Sequence, residues 1–140
     1  MNNWNSERLS ALGTTALRLG LAAVFFGHSY AKLFVFTLPG TAQFFAAHGF
    51  PGWTAYPVTV AELLGAVALL LGLRTRIVAA ALIAVLFGAL RVHAPNGWMF
   101  SNAGGGWEYV AFLIAALGAQ VLLGSGAYSV NRGSDARSLP

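Results

Sequence analysis

Residues 60–91 read VAELLGAVALLLGLRTRIVAAALIAVLFGALR, two long apolar runs joined by the basic turn Arg74-Thr75-Arg76. An α-helix needs about 20 apolar residues to cross the hydrocarbon layer of a bilayer, and each run approaches that length. The whole chain has 57% hydrophobic and 9% charged residues. Soluble proteins carry about 25% charged residues. The stretch therefore predicts two membrane-spanning helices joined by a tight turn.

Two further apolar runs, one before and one after this pair, give an all-α fold class: an integral membrane four-helix bundle. The predicted helices cover residues 13–36, 57–73, 76–92 and 107–124. They form one domain, residues 1–132, and residues 133–140 form a polar cytoplasmic tail. Small residues recur at a spacing of four, as at Ala61 and Gly65, which lets membrane helices approach closely.

The N-terminus has an alternative interpretation as a secretory signal peptide. Arg8 precedes an apolar stretch, and Ser29-Tyr30-Ala31 resembles a small-residue cleavage site. We favour a membrane helix, because the apolar stretch continues to Phe36.

The basic residues indicate topology rather than a nucleic-acid partner, because they form no continuous face despite a net charge of +4. The two longer connections, residues 37–56 and 93–107, contain no Lys or Arg. The positive-inside rule then places both termini and the Arg74 turn in the cytoplasm, with the chain in the cytoplasmic (inner) membrane. Arg18 is expected to be a cytoplasmic anchor, with a polar role inside the bundle left open.

The chain has no cysteine, which excludes thiol chemistry and cysteine-ligated metals.

The first outer connection is expected to contain a short interfacial helix near Thr41–His48, because its many aromatic residues suit the headgroup boundary. The second is expected to be irregular, with Gly104–Gly106 forming a flexible start to the last helix.

Five ionisable side chains fall at a similar depth in the predicted outer leaflet, by the helical rise of about 1.5 Å per residue: His28, Lys32, Glu62, Arg91 and Glu108. His28 and Lys32 share a helix face by their i,i+4 spacing. Two cations then balance two carboxylates, as burial in a low dielectric requires. This predicts an outer polar layer in which Glu62 and Glu108 meet His28 and Lys32.

Each of these residues also has a simpler interpretation. Lys32, Arg91 and Glu108 lie near helix ends, so their side chains could extend to the headgroups instead. Glu62 is short and lies beside small residues, which favours an inward-facing, paired carboxylate. His28 suits a structural hydrogen bond as well as a proton carrier. His93 reaches the layer from the loop or lies in solvent.

Four segments resemble the DoxX family of small four-helix membrane proteins: LRLGLAAVFFGHSYAKL, FFAAHGFPG, VAELLGAVALLLGLRTRIVAAAL and GGWEYVAFLIAALGAQVLLGSGAYSV. The resemblance extends from about Leu17 to Val130. Two positions depart from the family pattern: Ser29 replaces a glycine after the histidine, and Asn131 replaces an aspartate in the closing motif.

The resemblance implies a membrane subunit of a quinone-linked oxidoreductase or redox-stress system. Its ligand would be a membrane quinone or another small molecule, and its partners the lipid bilayer and a membrane or periplasmic oxidoreductase. Glu62 and His28 are then the candidate catalytic residues, as proton carriers. The candidate ligand-binding residues are Lys32, Arg91, Glu108 and His93.

Three alternatives from other classes stay open. The first is a structural or assembly subunit without catalysis. The second is a small-molecule or proton-coupled transporter, which would function as a homo-oligomer, although the chain lacks the inverted repeat of known transporters. The third is a metal site built from His28, Glu62, Glu108 and His93, although none of these pairs has the spacing of a known helical carboxylate–histidine motif.

Overall fold

The computed structural model describes residues 3–130, with side chains from Asn5 onward, and the regular elements in this range are helical. The α-helices are α1 (Asn3–Tyr30), α2 (Leu38–Ala47), α3 (Ala55–Leu71), α4 (Thr75–His93) and α5 (Glu108–Leu123). A π-helical turn, Ala31–Val35, continues α1, and 3-10 turns occur at Gly52–Thr54 and Ala94–Asn96. The predicted polar tail, residues 133–140, and Asn131 lie outside the described residues.

The four long helices form one bundle, which confirms the predicted fold class. α1 packs along α3 and α4 along α5, while contacts between α3 and α4 and between α1 and α5 complete the bundle. Its core is apolar and includes Leu21, Phe25, Leu69, Leu82 and Leu117. A Cβ at Gly65 would lie 2.9 Å from Cδ2 of Leu82, so the glycine lets α3 and α4 approach closely.

Three segments are long and apolar enough to cross a membrane: Asn5–Val35, Gly52–Leu71 and Thr75–Asn96. α5 is apolar but shorter, with 16 residues, or about 24 Å at the helical rise. Large apolar side chains on the outside of the bundle are exposed, among them Leu64, Phe112 and Leu122. Such a surface suits lipid rather than water.

The helix ends agree with the sequence-based bounds to within about two residues for α3, α4 and α5. The prediction for α1 was wrong at its N-terminal end. α1 begins at Asn3 rather than near residue 13, because its exposed polar first turns contain neither proline nor glycine and continue the helix beyond the apolar segment. Its other end agrees with the prediction, because the π-helical turn extends the helix to Val35, next to the predicted end at Phe36.

Arg18 is buried in the bundle and is only 1% exposed, so its expected role as a headgroup anchor was wrong. Nη1 donates to the carbonyl oxygen of Leu69 at 3.0 Å, and Nη2 donates to that of Tyr128 at 3.1 Å. The last carbonyls of α3 have no partner within their own helix, and a guanidinium with five N–H donors can satisfy several acceptors. The polar role inside the bundle that the sequence left open is the one observed.

Residues 124–130, the closing segment, return from the end of α5 to the start of the bundle. The amide of Ala127 donates to the carbonyl of Ala11, and that of Val130 to the carbonyl of Leu71. Thr15 Oγ1 also donates to the carbonyl of Ala127, at 2.7 Å. These contacts and those of Arg18 define one end of the bundle; the candidate site occupies the other.

Candidate functional site

Lys32 and Glu62 form an ion pair between the end of α1 and α3. Nζ of Lys32 lies 2.5 Å from Oε2 of Glu62, with the Glu62 side chain 4% exposed and the Lys32 side chain 19% exposed. An unpaired carboxylate at this depth would be costly, and the pairing explains how an apolar helix accommodates one. The expected inward-facing, paired Glu62 is observed.

The π-helical turn places Lys32 next to α2 as well as α3. The amide of Phe36 donates to the carbonyl of Ala31 at 2.8 Å, the i→i+5 hydrogen bond of a π-helix. Thr41 Oγ1 in α2 lies 3.5 Å from the carbonyl oxygen of Lys32 and donates to the carbonyl of Thr37 at 2.9 Å. π-Helical turns are frequent at functional sites.

The central cavity lies beside this pair and has a volume of about 450 Å³. Its polar lining consists of the side chains of His28, Lys32, Glu62 and His93, with Thr54 and Tyr109. The remaining walls are apolar and come from α2, α3, α4, α5 and the α2–α3 loop, and they include Phe45, Phe50, Val58, Leu86 and Leu113. The cavity therefore combines a small, charged polar face with largely apolar surroundings.

The two histidines of the central cavity differ in their contacts. Nδ1 of His93 lies 2.9 Å from the carbonyl oxygen of Gly105. Because a carbonyl only accepts, Nδ1 carries a proton there, and Nε2 of the neutral ring is the acceptor. His28 contacts the rings of Phe25 and Tyr109, at centroid distances of 6.4 and 6.1 Å. No hydrogen bond joins its ring to another residue in the described range 3–130. His93, at the end of α4, thus lines the same cavity as His28, Lys32 and Glu62.

Arg91 and Glu108 do not line the central cavity, so the predicted layer is split. Arg91 is exposed, and its guanidinium carbon lies 5.0 Å from the centroid of the Phe50 ring. Oε1 of Glu108 accepts a hydrogen bond from the amide of Phe100 at 2.7 Å. The expectation that Glu108 meets His28 and Lys32 was wrong, because the carboxylate binds the backbone of its own loop.

That loop, residues 97–107, contains several backbone hydrogen bonds around Gly104–Gly106, where the sequence predicts a flexible start to the last helix. The amide of Gly106 donates to the carbonyl of Met99 and that of Trp107 to the carbonyl of Gly97, both at 3.0 Å. The Asn96 side chain donates to the carbonyls of Gly104 and Gly105. The glycines permit this close packing of backbone on backbone.

α2 covers one side of the central cavity, and the sequence did not indicate this role. The predicted short helix near Thr41–His48 is observed as Leu38–Ala47, with the Thr37 side chain accepting from the amide of Gly40. Phe44 and Phe45 of α2 line the cavity, as does Tyr109 of α5. For Phe44 and Phe45, the signal in the sequence was the aromatic enrichment of the first outer connection, which is equally typical of a membrane interface.

The arrangement gives no support to the metal-site alternative. Within the described part of the chain, no three His, Asp or Glu side chains lie close enough together to hold one metal ion.

Comparison with known proteins assigns the sequence to a family. The sequence profile of the DoxX family matches residues 13–95, more than half of the chain. The chain belongs to the DoxX family. The matched range includes His28, Lys32, Glu62 and His93, whereas Glu108 and the rest of α5 lie outside it.

A second comparison finds a protein of Bacillus subtilis (strain 168) named "Putative oxidoreductase CatD". It is 38% identical to this DoxX protein over 79 residues, which are 56% of this chain and 58% of the relative. The match thus spans little more than half the length of that relative. No solved structure matches the chain.

Proposed function

We propose that this DoxX protein binds a quinone-like ligand in the central cavity, as the membrane component of an oxidoreductase system. The observation that carries the proposal is the Lys32–Glu62 pair on the wall of a largely apolar cavity of about 450 Å³. Ligand pockets commonly have about 300–1,000 Å³ and combine apolar walls with a few polar groups that orient the ligand. A planar ring that carries two carbonyl oxygens suits both features.

Lys32 would bind a carbonyl oxygen of the ligand. An ammonium group has three N–H donors, and the contact with Glu62 uses one of them. The others can donate to a quinone carbonyl. Because that oxygen gains negative charge when the ring is reduced, a nearby ammonium group stabilises the reduced form more than the oxidised form.

His28 and Glu62 are the proposed proton carriers. Reduction of a quinone to a quinol consumes two electrons and two protons. Imidazole and carboxylate groups are common proton donors and acceptors in enzymes, and both line the cavity. The chain has no cysteine, so we assign the electrons to a membrane or periplasmic oxidoreductase partner. The oxidoreductase name of the Bacillus relative supports this class of system.

For localisation we propose the cytoplasmic membrane, with both termini and the Arg74 turn in the cytoplasm. The support is the position of Arg8, Arg74 and Arg76 at the end of the bundle opposite the central cavity. Since the chain has no native cysteine, single cysteines test this directly. In intact cells, Ser101→Cys should react with a membrane-impermeant maleimide and Asn5→Cys should not. Reaction of Asn5→Cys but not of Ser101→Cys would show that the topology is the opposite of the one proposed.

The ligand is tested by extracting quinone from protein purified in mild detergent and measuring it by mass spectrometry. Wild type should retain quinone, and folded Glu62→Gln should lose most of it, because a neutral amide changes the charge of the pair with little change of shape. The matched control is Thr59→Val. Thr59 is also buried in α3 but does not line the cavity, and its hydroxyl donates to the carbonyl of Ala55 at 2.7 Å.

Two outcomes would contradict the proposal. If quinone remains bound to folded Glu62→Gln, the Lys32–Glu62 ion pair is not part of the quinone-binding site. No quinone in any sample, together with a marked loss of stability in Glu62→Gln alone, would favour the structural or assembly role.

A further inference from the structure

A second cavity, the side cavity, adjoins the central cavity and has a volume of about 560 Å³. Five residues line both cavities: His28, Lys32, Phe44, Phe45 and His93. The side cavity extends from them between the π-helical turn and the start of α2, where its walls are Ala31, Phe36, Gly40 and Thr41. The two spaces therefore meet beside the Lys32 side chain.

The side cavity reaches an apolar part of the protein surface. Phe36, which lines it, is 62% exposed, and the neighbouring Phe34 is 70% exposed. Phe34 lies within the segment Asn5–Val35, which is long and apolar enough to span a membrane, and Phe36 directly follows that segment. Ala31 and Gly40 are small, so the space between the two helices stays open there. A molecule in this opening would contact lipid chains rather than water.

We infer that the ligand of the central cavity carries a long apolar tail, which leaves the protein through the side cavity, between the π-helical turn and α2. The inference rests on the proposed function and adds the class of ligand: a lipid-soluble molecule with a polar ring and an alkyl or isoprenoid chain. The ring contacts the Lys32–Glu62 pair, and Phe44 and Phe45 contact the first part of the tail.

A different opening offers a competing route. The loop pocket, lined by residues that include Trp98, Phe100, Glu108 and Ala115, shares only His93, Tyr109 and Val110 with the central cavity. It borders neither Lys32 nor Glu62 and contains the Glu108 carboxylate. Burying an alkyl chain against a carboxylate removes water from the charge and costs free energy, which favours the side cavity for the tail.

The first test compares two quinones with the same methoxy-substituted ring, one without a tail and one with a decyl chain. Binding to protein in nanodiscs is measured by quenching of tryptophan fluorescence. Ala31→Phe places a ring in the side cavity, and Ala115→Phe is the matched control in the loop pocket. Ala31→Phe should weaken binding of the decyl quinone by about tenfold, the equivalent of about two buried CH₂ groups, and leave the tail-less quinone within about twofold. Ala115→Phe should change neither.

The outcomes of this test distinguish the proposed route of the tail from the proposed function. A selective loss of the decyl quinone in Ala115→Phe, or no loss in either variant, would overturn the route while the proposed function stands. An equal loss of both quinones in Ala31→Phe would also overturn it, because the substitution would then act on the ring. Failure of both quinones to bind wild type would remove the proposed function itself.

A second measurement needs no substitution. A decyl quinone with a photoreactive diazirine at the end of its chain is bound to wild type, irradiated, and mapped by mass spectrometry. Labels on residues 34–41 would support the route. Labels confined to residues 111–115 of α5 would overturn it.

Discussion

Nη1 of Arg18 in α1 donates to the carbonyl oxygen of Leu69 in the last turn of α3, over 3.0 Å. The same guanidinium donates to the carbonyl of Tyr128 in the closing segment, at 3.1 Å. The C-terminal end of a helix carries a partial negative charge, which an adjacent cation stabilises. One side chain thus connects three parts of the chain at the end of the bundle away from the candidate site.

Arg18→Met should lower the free energy of unfolding by about 3 kcal/mol, because it removes the charged hydrogen bonds from the guanidinium to the carbonyls of Leu69 and Tyr128. Arg18→Lys should lose less free energy of unfolding, since an ammonium group still reaches one or two of these carbonyl groups. Thermal unfolding in detergent, followed by circular dichroism, measures the difference. The control is Arg8→Met, an exposed arginine on the same helix, which should stay within about 0.5 kcal/mol of wild type. Equal stability of the two methionine variants would show that the carbonyls find other partners.

Gly72→Ala should destabilise the protein more than Gly49→Ala. Both glycines have positive φ angles, 70° and 82°, so each alanine carries a backbone cost of about 1 kcal/mol. At Gly72 a Cβ would also collide with the guanidinium of Arg18, whereas at Gly49 its nearest neighbour, Nη2 of Arg91, lies at 3.7 Å. Overpacking adds about 1–3 kcal/mol. Equal losses of unfolding free energy in the two variants would mean that Arg18 and Ser129, whose Cβ lies 2.5 Å from the same position, move aside at no cost.

The bundle could be predicted from the sequence because membrane-spanning helices are marked by the length and apolarity of single segments. Glu62 could be predicted as paired for a related reason, since a short carboxylate deep in an apolar helix needs a partner. Both inferences depend on residues close together in the sequence and on the cost of burying charge.

The contacts that were missed depend on packing between distant segments. Arg18 faces the end of α3 and the closing segment, neither of which is near it in sequence. Glu108 could be placed at the right depth, but depth alone does not distinguish a neighbouring helix from the amide of Phe100. The central cavity also depends on how α2 folds over the bundle, which the apolar pattern of the helices does not determine.

Lys32→Met should destabilise the protein more than Glu62→Leu. The first leaves a carboxylate that is 4% exposed without its cation, whereas the second leaves a lysine that is 19% exposed and long enough to turn toward water. Breaking a buried pair costs about 3–5 kcal/mol, and the partial exposure of Lys32 places the second variant well below that range. The double variant Lys32→Met/Glu62→Leu should be more stable than Lys32→Met alone, because no unpaired charge remains. A double variant whose loss equals the sum of the single losses would show that the two side chains do not interact.

Glu108→Ala should loosen the loop of residues 97–107 without unfolding the bundle. Oε1 of Glu108 accepts from the amide of Phe100 at 2.7 Å, and loss of this charged acceptor should speed hydrogen exchange at that amide by about tenfold, or about 1.4 kcal/mol. Glu108→Gln keeps a side-chain oxygen at the same position and should change exchange by a smaller factor. Exchange measured by mass spectrometry on peptides from the loop, with peptides from α3 as the internal reference, separates the two variants. If both leave exchange at Phe100 unchanged, the other hydrogen bonds of the loop suffice to order it, and the Glu108 carboxylate is free for the ligand-binding role that the sequence first suggested.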